Sequence, residues 1–344
     1  MNLGIPDLSI VIVNYRTPEL LDKCIASIIQ FTKILNYEII IVDNDSQDNS
    51  EKIIKLKYPN ISWYNMPENA GTSRAYNAGI RISKGKYIVI LNSDTELVEN
   101  TFLVLLEKYK ENEKKFKTGL LACKIIGYDN IVQYNSNIQF PSIKKYWYTN
   151  AFYLKFHKKT ALKKYEESEQ KDQRYRVEHE SKWIGIAVGI FNADICMREN
   201  LFFDEDIFMY SDEVEWCYRL MKKGYQHYYT PSTYLLHLNS GSSAFSEWRE
   251  GQVSISEWLY FLKTRGKAYY ICGISLLYLK HFVDKVVFIK KKLFNNIEEN
   301  DLQLKKYRRF EIKLLKGYAC KILFNFKRKT SSSQVFLKYD IQKN

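Results

Sequence analysis

The chain has 344 residues, 46% hydrophobic and 26% charged, which is long and apolar enough to bury a proper core and excludes a low-complexity or disordered polymer. Its formal net charge of +13 is carried at one end, because residues 1–260 hold 32 Lys and Arg against 33 Asp and Glu whereas residues 261–344 hold 20 against 6. A neutral catalytic or binding body with a basic tail that meets something anionic is therefore expected.

The first hundred residues alternate between two periods. LSIVIVNY (8–15) is nearly all apolar and β-branched, which suits a parallel strand buried on both faces, and Pro18 then opens the helical pattern ELLDKCIASIIQF with Leu21, Ile25 and Ile28 on one stripe. YEIIIVDN repeats the strand signal, Asn49 to Tyr58 the helical one, and ISWYN the strand again. GTSRAYNAGIRIS predicts a short helix and KYIVILN the next strand. This alternation predicts an α/β fold with a mostly parallel, doubly wound sheet, in which ligands sit outside the carboxyl ends of the strands. The polar residues at those ends are Asn14, Tyr15 and Arg16, then Asp43, Asn44 and Asp45, then Asn92, Ser93 and Asp94. Taken alone, Asn-Ser-Asp is a turn signal. Convergence of three such strand ends predicts one crevice.

After Thr101 the periodic signal weakens, and residues 141–180, rich in Lys, Tyr and Glu, read as a lid or acceptor-side insertion. Order returns at KWIGIAVGIFNADICM. Within FDEDIFMYSDEVEWCYRLMKKG, Asp212 to Lys223 predicts a helix ended by Gly224, with Glu215 and Arg219 paired on its face. Beyond about residue 245 the pattern is helical. The chain is thus expected to divide into a sandwich over residues 1–245 and a basic helical region over 246–344. Its six cysteines are widely spaced with no CxxC pair, so reduced cytoplasmic thiols are expected rather than a zinc site or a disulfide scaffold. The N-terminus lacks the features of a signal peptide. The most apolar late stretch, YYICGISLLYL at 269–279, is too short to cross about 30 Å of hydrocarbon.

The segments LSIVIVNYRTPELLDKCIASI, IIIVDNDSQDNS, NAGTSRAYNAGIRISKGKYIVILNSDTEL and FDEDIFMYSDEVEWCYRLMKKGY, with a histidine before LNSGSS, together resemble the motif series of glycosyltransferase family 2. The likeness covers residues 8–245 and is closest to the bacterial rhamnosyltransferase-like members that build surface polysaccharides such as capsule or O-antigen. It implies the GT-A fold, a nucleotide-binding α/β sandwich. It also implies inverting transfer of a sugar from a nucleotide-sugar donor, dTDP-rhamnose or a UDP-sugar, to a hydroxyl of a growing, polyprenyl-diphosphate-linked surface glycan. A divalent metal, Mn²⁺ or Mg²⁺, accompanies that chemistry in the family, because the leaving diphosphate carries charge.

Residue by residue, the family's Asp-x-Asp motif falls on Asn92, Ser93 and Asp94, and makes Asp94 the metal or diphosphate residue. Asn92 replaces the first Asp; a neutral amide oxygen binds a hard cation less strongly than a carboxylate, and the alternative for Asn92 is a bond to the ribose. Asp43 matches the residue that contacts the base or ribose. Asn14 and Tyr15 match the start of that pocket, and Asn69, Gly71, Arg74 and Asn77 the segment that closes over it. Asp212 and Glu213 fill the acidic pair that supplies the catalytic base, here in reversed order. Alignment puts Glu213 at the base position and leaves Asp212 as its competitor. His237 matches the late histidine that approaches the metal, and Trp183 and Gly185 match the acceptor-side wall. A protein or teichoic-acid glycosyltransferase of the same fold, and a catalytically silent nucleotide-sugar or glycan-binding scaffold, are the competing readings.

From Leu262 onward aromatic and aliphatic residues alternate with lysines, as in LYLKHFVDKVVFIKKKLF. Amphipathic basic helices of this kind lie at anionic membrane surfaces, which predicts a cytoplasmic protein held peripherally at the inner face of the membrane. A helical subdomain packed on the body, or an oligomerisation surface such as that of a homodimer, is the plainer alternative. No nucleic-acid-binding module accompanies the charge.

Overall fold

A computed structural model describes residues 4–148, 173–238, 247–294, 297, 299–319 and 322–323. They fall into two compact units, one containing the described residues up to 140 and from 174 to 238, the other containing 141–148, 173 and those from 247 onward.

The first unit is built on a mixed sheet. Strands β1 (Leu8–Asn14), β2 (Tyr37–Asp43), β3 (Ser62–Asn65) and β4 (Tyr87–Asn92) run parallel in the order β3-β2-β1-β4. The sheet continues through β11 (Val188–Asn192), antiparallel to β4, then β6 (Thr118–Ile126), β12 (Gln226–His237) and β5 (Thr95–Leu97). The long β12 lies parallel to β6, skips register between Thr230 and Tyr234 around Pro231, and ends antiparallel to β5. Proline cannot donate to a ladder, so a break there is the expected response. Short strands β7 (Val132–Gln133) and β9 (His179–Ser181) pair with β6 and β12, while β8 (Ser136–Asn137) and β10 (Trp183–Ile184) pair with each other.

The parallel half follows from its residue types. Leu8, Ile10, Val11 and Ile12 of β1 and Ile88, Val89, Ile90 and Leu91 of β4 are fully buried, as strands covered on both faces must be. Helix α1 (Pro18–Phe31) opens on Pro18 and buries Leu21, Cys24, Ile25 and Ile28; α2 (Ser50–Lys57) and α3 (Thr72–Ile82) follow β2 and β3. Register decides the rest. Asn14 stands opposite Asp43, Asp43 opposite Asn65, and Val13 opposite Asn92, so the polar strand ends are level with one another.

The stretch after Thr101, where the sequence signal fades, is ordered: α4 (Thr101–Glu113) buries Phe102, Leu105, Leu106 and Tyr109, and β6 continues the sheet. The apolar stripe of α4 is narrow and flanked by Glu, Lys and Asn, which blurs its period. Most of the 141–180 segment read as a lid, residues 149–172, lies outside the described residues, and its described start carries α5 (Lys144–Tyr148). Helix α6 (Asp194–Met197) is a single turn, and α7 (Asp212–Lys222) ends one residue before the sequence reading, with Gly224 at φ 86° beyond it. Trp216 of α7 stacks on Phe203 at 4.4 Å and meets Phe191 edge-on, fastening the helix to the core.

Gly71, the residue before α3, has φ 83°, and a Cβ there would lie 2.1 Å from the Phe208 carbonyl oxygen. Thr72 N–H donates to that same oxygen at 2.7 Å, so the approach is fixed from both sides. Gly71→Ala is therefore expected to cost about 2–4 kcal/mol, from the unfavourable backbone region and the forced displacement together. Urea denaturation should show a lower midpoint at unchanged slope; a loss below about 0.5 kcal/mol would mean that the α3 entry relaxes freely.

The described part of the second unit is helical. Helix α8 (Glu247–Leu293) is broken at Gly266, whose φ of 83° and ψ of 174° are not helical, and α9 (Glu299–Leu314) runs into a π-helical turn, Leu315–Ala319. Trp258, Leu259, Tyr260 and Phe261 form its centre, with Lys145 of α5 paired to Glu257. Among the described residues no helix is long and apolar enough to cross a membrane, and the described cysteines are free.

Candidate active site

The floor of the crevice is made where β1 and β2 end. Asn14 is fully buried and donates from Nδ2 to Asp43 Oδ1 at 2.7 Å. Ser46 completes the group, its hydroxyl donating to Asp43 Oδ1 at 2.6 Å and its N–H to Oδ2 at 2.9 Å. Buried polar groups are stable only when bonded in this way. Asp43 is thereby oriented from three sides, and Asn14 acts on Asp43 beneath the surface. Tyr15, next along, is 39% exposed with the Arg16 guanidinium 5.1 Å from its ring. Thr17 Oγ1 donates to Asn14 Oδ1 at 3.0 Å and lies 3.1 Å from Ser93 Oγ, linking this floor to the end of β4.

At that end, pairing of β12 with β5 sets His237 opposite Thr95 and next to Asp94. His237 Nε2 stands 3.2 Å from Asp94 Oδ1, and Leu238 N–H donates to the Asp94 carbonyl at 2.9 Å. Gln133 grips the histidine twice, donating from Nε2 to its carbonyl at 3.0 Å and facing Nδ1 with Oε1 at 2.7 Å. With the amide so oriented, Oε1 accepts from Nδ1 and the ring is held with Nε2 turned toward Asp94, the orientation in which a histidine can ligate a cation beside that carboxylate. Two donor atoms 3.2 Å apart match neighbouring positions of an octahedral shell with bonds of about 2.1 Å. The pair thus fits a small divalent cation. Among the described residues no group of three or more His, Cys, Asp or Glu side chains converges to hold a metal, so the other positions would fall to ligand oxygens and water. Asn92 offers its oxygen elsewhere: Oδ1 accepts from Tyr76 OH at 3.1 Å, which turns Nδ2 to within 3.4 Å of His237 Nε2. The amide therefore turns its nitrogen, a donor only, toward His237 and withholds its oxygen from a cation. Cys24, beneath this turn, is an inert packing thiol, since burial pushes it up to about 12.

The acidic pair enters at the N-terminus of α7, after two residues in left-handed backbone, Tyr210 and Ser211. Asp212 Oδ2 accepts from Thr72 Oγ1 at 2.9 Å and Ser73 Oγ at 3.4 Å, joining the start of α7 to the start of α3. Glu213 is only partly covered at its surface, yet burial and the Asp212 carboxylate beside it hold its carboxyl well above the ordinary carboxylate range. An acid of raised pKa in a cleft suits proton transfer near neutral pH. Tyr76 is buried, and its hydroxyl is shifted upward by burial and then by the charges of Asp212, Glu213 and Asp94. One tyrosine therefore feels both the cation-side and the acid-side carboxylates.

The remaining expected residues divide. Asn69 Oδ1 accepts from Asn44 Nδ2 at 2.9 Å, while Asn44 Oδ1 accepts from Ala70 N–H at 3.0 Å, so the two asparagines shape the loop into α3. Arg74 reaches the Glu205 carbonyl at 3.1 Å. Asn77 is 1% exposed and clamps the 203–205 segment, exchanging bonds of 3.0 Å with the Phe203 carbonyl and N–H and donating to Glu205 Oε1. It positions rather than lines the crevice. Trp183 donates to the Gln139 carbonyl at 3.0 Å and Gly185 to the Asn135 carbonyl at 2.7 Å, and β10, which begins at Trp183 and ends just before Gly185, packs on α7. Sequence reading passed over Ser46, Thr72, Tyr76 and Gln133. Tyr76 and Thr72 stand inside a quoted motif, but their roles depend on which face of α3 meets β4 and α7. Gln133 lies in a stretch with no periodic signal.

A family model described as Glycosyl transferase family 2 matches residues 9–176. Among curated relatives, the minor teichoic acid biosynthesis protein GgaB of Bacillus subtilis is 35% identical over 113 residues, 32% of this chain and 13% of the relative. Glycosyltransferase GlyG of Streptococcus pneumoniae is 32% identical over 115 residues, 33% of this chain and 38% of its own length. The matched part thus spans well under half of these relatives. A solved mannosyltransferase from Pyrobaculum calidifontis, in complex with GDP-Man and Mn²⁺, superposes with a TM-score of 0.54 at 12% identity, covering 94% of this chain and 88% of the other. That likeness establishes a fold of the GT-A type.

Proposed function

Because this chain belongs to glycosyl transferase family 2 through its residues 9–176, we propose that it transfers a sugar, with inversion, from a nucleotide-sugar donor to a hydroxyl of a bacterial surface polymer. The observation that carries this reading is that α3 holds both parts of the site, since Tyr76 OH bonds Asn92 Oδ1 at 3.1 Å while Thr72 and Ser73 at the start of the same helix bond Asp212. A cation-binding edge and a carboxylate base gathered at one helix are what such a transfer needs. The donor's nucleoside is received at Tyr15 and Asp43, and its diphosphate extends toward Asn92, Ser93 and Asp94. Glu213 accepts the acceptor hydroxyl's proton as the new bond to C1 forms and the bond from C1 to the diphosphate oxygen breaks. Asp212, held by Thr72 and Ser73, fixes the helix start that aims Glu213. Trp183 and Gly185 belong to the acceptor side. A divalent cation, Mn²⁺ or Mg²⁺, held by Asp94 and His237 would neutralise charge on the departing diphosphate.

For the acceptor, a polyprenyl-diphosphate-linked glycan is the first reading, and the relative named for minor teichoic acid biosynthesis favours an anionic wall polymer as the second. Donor identity is open to direct measurement. A nucleotide sugar present at 100 times its dissociation constant should stabilise the fold by about 2.7 kcal/mol, a shift of a few degrees in thermal melting. We expect one member of a panel of dTDP-rhamnose, UDP-sugars and GDP-sugars to give that shift, and to release free nucleoside diphosphate slowly when Mn²⁺ or Mg²⁺ is supplied. A panel in which nothing stabilises the protein and nothing is hydrolysed would leave a silent scaffold.

A further inference from the structure

Helix α8 is apolar on two sides, and the fold covers one of them. Tyr270, Leu277, His281 and Phe288 recur at helical spacing and are buried. Ile271, Tyr278, Phe282, Val286, Ile289 and Leu293 recur at spacings of three, four and seven on another side, and are exposed, Phe282 to 66% and Leu293 to 77%. At about 100° per residue they share an arc of about 80°. From Ile271 to Leu293 the stripe is about 33 Å long at about 1.5 Å per residue. An apolar band of that length on an exposed helix face marks an interaction surface.

Its edges show what it fits. Lys267, Lys285 and Lys292 flank it on one side and Lys290 on the other, all exposed, whereas Lys280 and Lys291 are engaged by Asp284 and Asp301 at 3.1 and 2.8 Å. Lysines beside an apolar stripe bury their stems along it and keep the ammonium groups at the polar boundary. We propose that this face of α8 docks the chain on an anionic lipid surface, with Phe282, Ile289 and Leu293 entering the acyl boundary and the flanking lysines meeting phosphate headgroups. Charge distinguishes this occupant from the others. A second copy placed face to face would bring like-charged lysine rows together, and a nucleic acid would leave the aromatic and aliphatic stripe in water. The inference rests on α8 alone and uses neither the donor reading nor the acid pair.

The full chain is tested by co-sedimentation with phosphatidylcholine vesicles prepared with and without phosphatidylglycerol. Binding is expected only to the anionic vesicles and should fall with added salt. Replacing three lysines, Lys285→Gln, Lys290→Gln and Lys292→Gln together, should weaken it roughly 100-fold. Phe282→Ser with Ile289→Ser should weaken it at least about tenfold. Donor hydrolysis, followed on the soluble protein, should be unchanged in both variants, which reports that each is folded and separates this test from that of the transfer reaction. Equal binding to both vesicle types, or variants that sediment like the parent, would overturn the proposal. So would a Phe282→Ser/Ile289→Ser protein that binds vesicles normally but dissociates from dimer to monomer in sedimentation velocity, which would identify a second copy as the occupant.

Discussion

Asp94→Ala is expected to reduce sugar transfer by at least about 1,000-fold while leaving the protein folded. The carboxylate faces His237 across 3.2 Å, and it is the one full negative charge in the Asn92-Ser93-Asp94 turn, because Asn92 is neutral and spends its oxygen on Tyr76. The backbone of the turn survives the substitution, since Leu238 bonds the carbonyl of Asp94 and not its side chain. Calorimetric melting of the variant should therefore resemble the parent's, while the response of activity to Mn²⁺ or Mg²⁺ disappears. Full activity of Asp94→Ala in excess chelator would remove Asp94 from the reaction.

Glu213→Gln should lower kcat by about 100- to 10,000-fold and leave donor affinity nearly unchanged, because the substitution keeps the shape and removes the basicity. The pH profile gives the sign independently. A base works when deprotonated, and burial together with Asp212 raises the Glu213 carboxyl. The parent's kcat/KM should thus fall as pH drops through a value well above the ordinary carboxylate range. Asp212→Asn removes the neighbouring charge, so Glu213 ionises more readily and the acid limb moves to lower pH. Its kcat should suffer less than in Glu213→Gln, the loss coming from the Thr72 and Ser73 contacts. If Asp212→Asn is the more damaging change and the limb does not move, the two roles are exchanged. If neither change slows turnover by about tenfold, the acidic pair is not the base.

These residues were legible in the sequence to different depths. Strand ends such as Asn14, Asp43 and Asn92 stand out because an apolar run stops at a polar residue, and a parallel sheet must bring such ends together. The acidic pair is visible as a pattern, yet acidic residues also suit the first turn of any helix. Alignment to a family distinguishes those explanations and periodicity does not. Segments with narrow apolar stripes, such as α4, carried too little contrast to read.

The sequence by itself determined the alternation of strand and helix, the level at which the strands end, the helix at Asp212 and the basic character of the C-terminal quarter. All of these follow from local spacing and composition. Tertiary structure alone decided which polar atoms are occupied. Asn77 faces inward to the 203–205 segment, Asn92 gives its oxygen to Tyr76, and Gln133 orients the ring of His237 across 104 residues of chain. It also decided which side of α8 is covered. The physical reason is common to all of them. A hydrogen-bonding group is committed by whichever partner packing brings within about 3 Å, and partners remote in sequence leave no period by which to find them.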